Sequence, residues 1–311
     1  MQAPVPITFW HWAGFIVVIL FFLALDFGVF HRNSRVVSTK EALLWSAIWF
    51  LLAMLFAWGL DAWRGPADSL EFITGYFVEF SLSMDNVLAI ALIFTYFAVA
   101  ARHQHRVLFW GILGAIALRG LIIAAGVALI QTFQWTLYLM GGFLIFTGVK
   151  WAFSKKTPVQ PEKNRILRLA RKIFPVSHDY DGDKFLTGSD GRRALTPLFL
   201  VLLVVETTDL LFAVDSIPAV FAVTQKPFIV FTSNIFAILG LRSLYFALAG
   251  AIQSFRFLKA GLAGVLIFVG AKMLATRWVT VPTSVSFAVV AAIIAIAMAI
   301  SIIAVPKDKR A

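Results

Sequence analysis

Apolar residues in this chain run on for about 20 positions at a time, broken by short polar stretches, without the strict alternation of a strand. Nine such runs are read as membrane-spanning helices: 10–30, 41–60, 72–98, 107–130, 134–153, 195–222, 228–250, 256–276 and 283–305. A helix rises about 1.5 Å per residue, so twenty residues match the ~30 Å hydrocarbon core of a bilayer. The predicted fold class is therefore all-α, a polytopic membrane protein. One polar interval is long, 154–194, and within 162–174 it places Ile166, Leu169 and Ile173 at helical spacing. Arg165, Arg168, Arg171 and Lys172 surround that stripe. The pattern predicts a short amphipathic helix at the inner membrane face, attracted to anionic lipid, with a loop free of the membrane as the alternative.

Two runs carry acids in the same arrangement. The third contains Glu79-Phe-Ser-Leu-Ser-Met-Asp85-Asn86, and the sixth contains Glu206-Thr-Thr-Asp209-Leu-Leu-Phe-Ala-Val-Asp215-Ser216. Glu79 to Asp85 and Asp209 to Asp215 are both steps of six, each ending before a small amide or hydroxyl. The similarity continues downstream. Leu118-Arg119 matches Leu241-Arg242, and Leu144-Ile-Phe-Thr-Gly-Val-Lys150 matches Leu266-Ile-Phe-Val-Gly-Ala-Lys272 at five of seven positions. Runs three to five thus correspond to runs six to eight. An odd number of helices per copy makes the second copy enter the membrane from the opposite side, the inverted repeat of secondary transporters. The expected organisation is an N-terminal pair (1–62), repeat one (71–153), a basic loop (154–194), repeat two (195–276) and a last helix (283–305).

Composition narrows the function classes. Sixty per cent hydrophobic residues and a mean hydropathy of +0.88 exclude an ordinary soluble domain. The net charge of +11 does not point to nucleic acid, because Lys and Arg fall in alternate loops. Arg32, Arg35 and Lys40 lie in the first, Arg102 and Arg106 in the third, and Lys307, Lys309 and Arg310 in the tail. The positive-inside rule then places the N-terminus in the periplasm and the C-terminus in the cytoplasm. The N-region Met1 to Trp10 has no positive charge, so the first run is not read as a signal peptide. With no cysteine there are neither disulfides nor thiolate ligands, and no resident cofactor is expected. A transported metal would be met by oxygen, which favours Mn²⁺, Mg²⁺ or Ca²⁺.

Ionisable groups at membrane depth cost about 2.5–3.5 kcal/mol each even on lenient scales, so five of them in two matched copies are a site hypothesis. The expected metal ligands are Glu79, Asp85, Asn86, Glu206, Asp209, Asp215 and Ser216. Met84 is a candidate thioether contact or a packing residue. Val214 offers a carbonyl freed by Pro218, which has no N–H to donate. Glu206 and Asp215 are nine residues apart, about 180° round a straight helix, so convergence requires a break or rotation near Pro218. Arg119 and Arg242 are candidate counter-charges, and Asn234 bridges helices or touches the ion. Crowded carboxylates in low dielectric hold protons readily, so protons and cation compete for them. Asp26 is expected to reach the interface, and Trp63, Trp151 and Trp278 to form interfacial belts. Gly114, Gly141, Gly142 and Gly264 are expected to permit close helix contact. Asp179-Tyr-Asp181-Gly-Asp183 has calcium-loop character, but Lys184 stands where that loop needs Gly, so a solvated turn is expected.

The two acidic stretches, with Thr196-Pro197-Leu198 before the second and Ser233-Asn234-x-Phe-Ala-x-Leu-Gly-Leu-Arg242 after it, resemble the TerC/Alx family of integral membrane proteins, its Alx-like branch above all. The resemblance covers nearly the whole chain. It implies a bacterial inner-membrane exporter of Mn²⁺, and it alone supplies the direction of transport. It also connects the chain with tellurium resistance, and protein-translocation or metal-resistance assemblies become candidate partners. A Ca²⁺/H⁺ or Mg²⁺ exchanger on the same acids, or a non-transporting scaffold, are the alternatives. An intramembrane aspartyl protease would need a Gly-x-Gly-Asp sequence that is absent. No enzyme activity is expected.

Overall fold

The computed structural model describes residues 6–30, 38–153, 164–177, 180–189, 192–248, 258–279 and 281–303. These form α1 (Phe9–Phe30), α2 (Thr39–Arg64), α3 (Pro66–Tyr96), α4 (Ala101–Thr132), α5 (Thr136–Phe153) and α6 (Arg165–Ile173). A hairpin of β1 (Leu186–Ser189) and β2 (Arg192–Leu195) follows, then α7 (Pro197–Phe221), α8 (Pro227–Leu248), α9 (Leu258–Ala275) and α10 (Thr283–Ile303). The fold is all-α apart from the hairpin. Among the described residues, seven helices are long and apolar enough to cross a membrane, while α1 and α9 supply the shorter apolar stretches Phe9–Leu25 and Ala260–Ala275. Over the described residues, every predicted run coincides with a helix. The polar starts of α3 and α4 extend those helices beyond their apolar parts, since the backbone ladder does not depend on side-chain polarity.

Local sequence sets the ends. Ser38 caps α2 by accepting from the Glu41 N–H at 3.3 Å, filling one of the orphan donors of the first turn. Gly65 adopts φ +94° between α2 and α3, a conformation that a Cβ disfavours, and Pro66 begins α3 where no donor is needed. Asn164 caps α6 through the N–H groups of Ile166 and Leu167.

At the centre stands α8, 88% buried over its apolar window and in contact with α2, α3 and α4. The periphery is different in kind: α2, α4, α5 and α10 expose Leu51, Leu121, Phe146 and Ile296. So large an apolar surface suits lipid as its solvent. The packing also has a formal property. Exchanging α3 with α7, α4 with α8 and α5 with α9 turns the contact α3·α8 into α7·α4 and α5·α7 into α9·α3, and all of these occur. At the α5·α9 crossing a Cβ on Gly141 would lie 3.0 Å from the Gly270 carbonyl, and one on Gly148 would lie 2.8 Å from that of Ala263. Shifted by 122 residues, Gly148 becomes Gly270 and Gly141 becomes Ala263, so one contact is made twice.

The structure departs from the expected pattern in three places. Pro218 does not break α7, which continues to Phe221. The proline sits in the final turn, where a missing donor affects one carbonyl, and buried Ile217, Ala219, Val220 and Phe221 hold that turn in place. The two strands were not foreseen, because four-residue strands leave little periodicity. Trp151, expected in an interfacial belt, lines an interior cavity. The calcium-like segment is a turn: Gly182 has φ +57°, and Asp181 accepts from Thr187 Oγ1 at 2.9 Å and pairs with Lys184. Asp179 and Asp190 are outside the described residues, as is the side chain of Asp26.

Candidate functional site

Near the middle of α4, Arg119 is wholly buried. Its Nε donates to Asp209 Oδ2 at 3.2 Å and its Nη2 to Asp209 Oδ1 at 2.9 Å, a two-pronged grip on one carboxylate. Its Nη1 donates to Glu79 Oε1, to Asn234 Oδ1 at 3.1 Å and, at the limit of 3.5 Å, to Ser216 Oγ. One guanidinium therefore joins α3, α7 and α8 to α4. Burying a lone charge would cost several kcal/mol, and this arrangement persists because each of the three guanidinium nitrogens has an acceptor and two of those acceptors are carboxylates. Asn86 adds a donor from α3, Nδ2 to Asp209 Oδ1 at 3.3 Å.

Beside this cluster lies a cavity of about 10 Å³, the space of one water-sized body. Glu79, Leu82 and Asn86 line it from α3, spaced i, i+3 and i+7 on one helix face, and Phe212, Asp215 and Ser216 line it from α7. Trp151 of α5 closes the wall. Asp215 accepts from Thr147 Oγ1 at 3.3 Å. Among the described residues, Glu79 Oε2 and Asn86 Oδ1 are buried acceptors with no hydrogen-bond partner. Unsatisfied buried acceptors are rare and costly, so these two oxygens leave room for a hydrogen-bond donor or a cation.

The other expected residues are distributed. With α7 unbroken, Glu206 stays on the side away from Asp215, its carboxylate filling the space above Gly114 of α4, where any Cβ would collide with it. Gly114 thus makes room for a carboxylate and not only for a neighbouring helix. Glu206 Oε2 also lacks a partner among the described residues. Next to it, Thr207 accepts from Asn164 Nδ2 at 2.7 Å, so the cap of α6 is fastened to the acidic turn of α7. Asp85 is half-buried on α3 but outside the cavity lining. Met84 packs in the apolar core, and the Val214 side chain is exposed. Asn234 is wholly buried, and the side chain of Arg242 is outside the described residues. The five acids do not form one cage: among the described residues no three His, Asp or Glu side chains are grouped to hold a metal. Glu79 and Asp215 line the cavity, Asp209 is held by Arg119, Glu206 lies over Gly114, and Asp85 is not among the lining residues.

The stripe on α6 is more divided than its spacing suggested. Ile166, Leu169 and Ile173 are exposed as a lipid-facing stripe would be, while Leu167 and Ala170 are buried in the cluster that includes α7.

Sequence reading missed a polar cluster at the end where α3 begins. Lys226, in the α7–α8 turn, reaches Asp68 at 2.6 Å and Glu71 at 2.9 Å; Arg64 pairs with Asp68 at 2.5 Å and Thr224 Oγ1 donates to Glu71 Oε2 at 2.6 Å. Burial opposes the Lys226 charge, but its hydrogen bonds to Asp68 and Glu71 prevail and hold its ammonium above the usual lysine range. The spacing Arg64, Asp68, Glu71 was the available signal. At the opposite end Arg106 pairs with Asp183, and Tyr180 Oη donates to the Phe97 carbonyl at 2.7 Å, docking the hairpin region onto the α3–α4 turn.

Known proteins place the chain. The family described as "Integral membrane protein TerC family" matches residues 64–310. An uncharacterized membrane protein of Myxococcus xanthus, STKORF319, is 52% identical over 292 residues, covering 94% of this chain and 92% of its own. A protein of Escherichia coli K12, provisionally named membrane-bound redox modulator Alx, is 44% identical over 288 residues, 90% of each chain. No solved structure matches. Helices of this length and apolarity, and a family match across most of the chain, lead to one conclusion: the chain belongs to the TerC family of integral membrane proteins.

Proposed function

We propose that this protein is a secondary transporter that exports Mn²⁺ across the bacterial inner membrane in exchange for protons. The observation that carries the reading is the meeting of Glu79 and Asn86 of α3 with Asp215 and Ser216 of α7 around a buried cavity, two of whose oxygens have no partner among the described residues. The carboxylate, amide and hydroxyl oxygens that Glu79, Asp215, Asn86 and Ser216 offer suit a hard or borderline divalent cation. The doubled α5·α9 contact and the exchange symmetry of the helix pairs support an inverted repeat, α3–α5 with α7–α9, and a site at its interface is where such carriers bind. Export, and not import, rests on the family resemblance. In this reading the N-terminus is periplasmic and α6 rests on the inner leaflet.

The name of the E. coli relative suggests a role in redox balance. This chain has no cysteine, so its own residues cannot run a thiol relay; any redox effect would follow from the metal it moves. Purified protein in proteoliposomes should carry Mn²⁺ in response to a pH gradient, with protons moving the other way. Absence of Mn²⁺ flux, or flux indifferent to pH, refutes the reading. Millimolar Mg²⁺ competing as well as Mn²⁺ would promote the Mg²⁺ exchanger, and Ca²⁺ doing so the Ca²⁺ exchanger.

A further inference from the structure

We infer that Arg119 is a tethered counter-cation that occupies part of the transport site when no metal is bound and must leave it for metal to enter. The inference rests on the Mn²⁺ reading and deepens it. Its basis is the division of acceptor atoms. Asp209 and Glu79 Oε1 are spent on the guanidinium, whereas Glu79 Oε2 and Asn86 Oδ1 are buried acceptors without a partner among the described residues, on side chains that line a cavity the size of one water. Glu79 thus has one oxygen on Arg119 and the other unpartnered among the described residues, on a side chain that lines the cavity.

Charge explains why such a group is present. Emptying a carboxylate site at membrane depth leaves buried anions, each needing a partner or a proton. Arg119 is wholly buried with three donor nitrogens engaged, and in this geometry it neutralises one of the two acids it grips and shares its donors with the other. The empty carrier is then closed by a side chain, with fewer protons required for its return. When a divalent ion arrives it brings two charges against the one of Arg119. It engages Glu79 Oε2, Asn86 Oδ1 and Asp215 first, and captures Asp209 as the guanidinium withdraws. Metal and Arg119 are alternatives for the same carboxylates, so a population in which Arg119 is seated lowers the apparent affinity for metal by the fraction of competent molecules.

The test is Mn²⁺ binding to purified protein in lipid nanodiscs, followed by the loss of the free-ion electron paramagnetic resonance signal. Wild type, Arg119→Lys and Arg119→Gln are compared, with proton-driven Mn²⁺ flux measured beside them. Removing the competitor should tighten binding about tenfold or more in Arg119→Gln while flux falls, because a site that no longer expels its ion releases it slowly. Arg119→Lys keeps one charge but cannot grip Asp209 with two prongs, and should fall between. It also carries the test if Arg119→Gln does not fold. Binding in the folded variants that is unchanged or weaker than wild type overturns this inference and leaves the Mn²⁺ reading intact. Wild type that neither binds nor moves Mn²⁺ overturns that reading, and this one with it.

Discussion

Adding a single methyl group at Gly270 should separate α5 from α9. A Cβ built there lies 2.6 Å from the Gly141 carbonyl, 2.9 Å from Ile145 Cγ1 and 3.0 Å from the Ile145 nitrogen. Two of those three atoms are backbone, so no side-chain rotation relieves the contact, and one helix must shift. Overpacking of this kind costs about 1–3 kcal/mol. The control is Gly142→Ala, about 100° round α5 from Gly141, where nothing lies within 4 Å. Both substitutions gain about 0.5–1 kcal/mol from restricting the unfolded backbone and from helix propensity. That gain cancels in the comparison, so the gap between the two variants measures the clash alone. Gly142→Ala should unfold at or above the wild-type midpoint, and Gly270→Ala below it. Gly148→Ala, whose Cβ would meet the Ala263 carbonyl at 2.8 Å, should behave as Gly270→Ala does, since it repeats that contact. The assay is unfolding of purified protein in mixed detergent, titrated with sodium dodecyl sulfate and followed by far-ultraviolet circular dichroism. Equal midpoints for Gly270→Ala and Gly142→Ala would refute the close crossing.

Three further outcomes are expected. Asp215→Asn keeps the shape of a cavity-lining carboxylate but not its charge, and should lower Mn²⁺ flux in proteoliposomes at least tenfold with normal membrane expression; wild-type flux would remove Asp215 from the site. A reporter fused after Lys156 should score cytoplasmic and one fused near Asp61 periplasmic, and the reverse pattern would invert both repeats. The third concerns Asp183. Partial burial works against its charge, but Arg106 outweighs that through its hydrogen bond and its charge, so the carboxyl is held below the usual Asp range. A depressed folded-state value stabilises docking above the ordinary Asp value near 3.8 and loses that contribution as pH falls through the folded value. Hairpin docking should therefore be insensitive to pH from neutrality down to that region and weaken below it, while Asp183→Asn weakens it at pH 7. A single cysteine introduced at Thr187, in a chain that has none, reports this by its rate of thiol labelling; equal rates for the variant and its parent at pH 7 would exclude the role of the pair.

The all-α membrane class and the position of every long helix were written in the sequence, because a bilayer demands continuous apolar length and satisfied backbone, and both are local properties. The two acidic stretches were equally visible, since charge in such a run is costly enough to need a reason. The cap at Ser38 and the turn at Gly65 were also matters of neighbouring residues. What the sequence could not fix was which acid meets which partner. That Asp209 and Glu79 share Arg119, that Thr147 reaches Asp215, and that Asn164 fastens α6 beside Glu206 are contacts between residues 40 to 90 positions apart. Each depends on how far one helix is rotated against the next. Pro218 shows the same limit from the other direction. Its missing donor was a valid local reason for a break, yet the burial of the turn around it decided the outcome. Periodicity reports which face of a helix is apolar, and lipid on the outside and protein on the inside are both apolar. In a membrane the pattern therefore marks out the helices, and only their packing selects the carboxylates that come together.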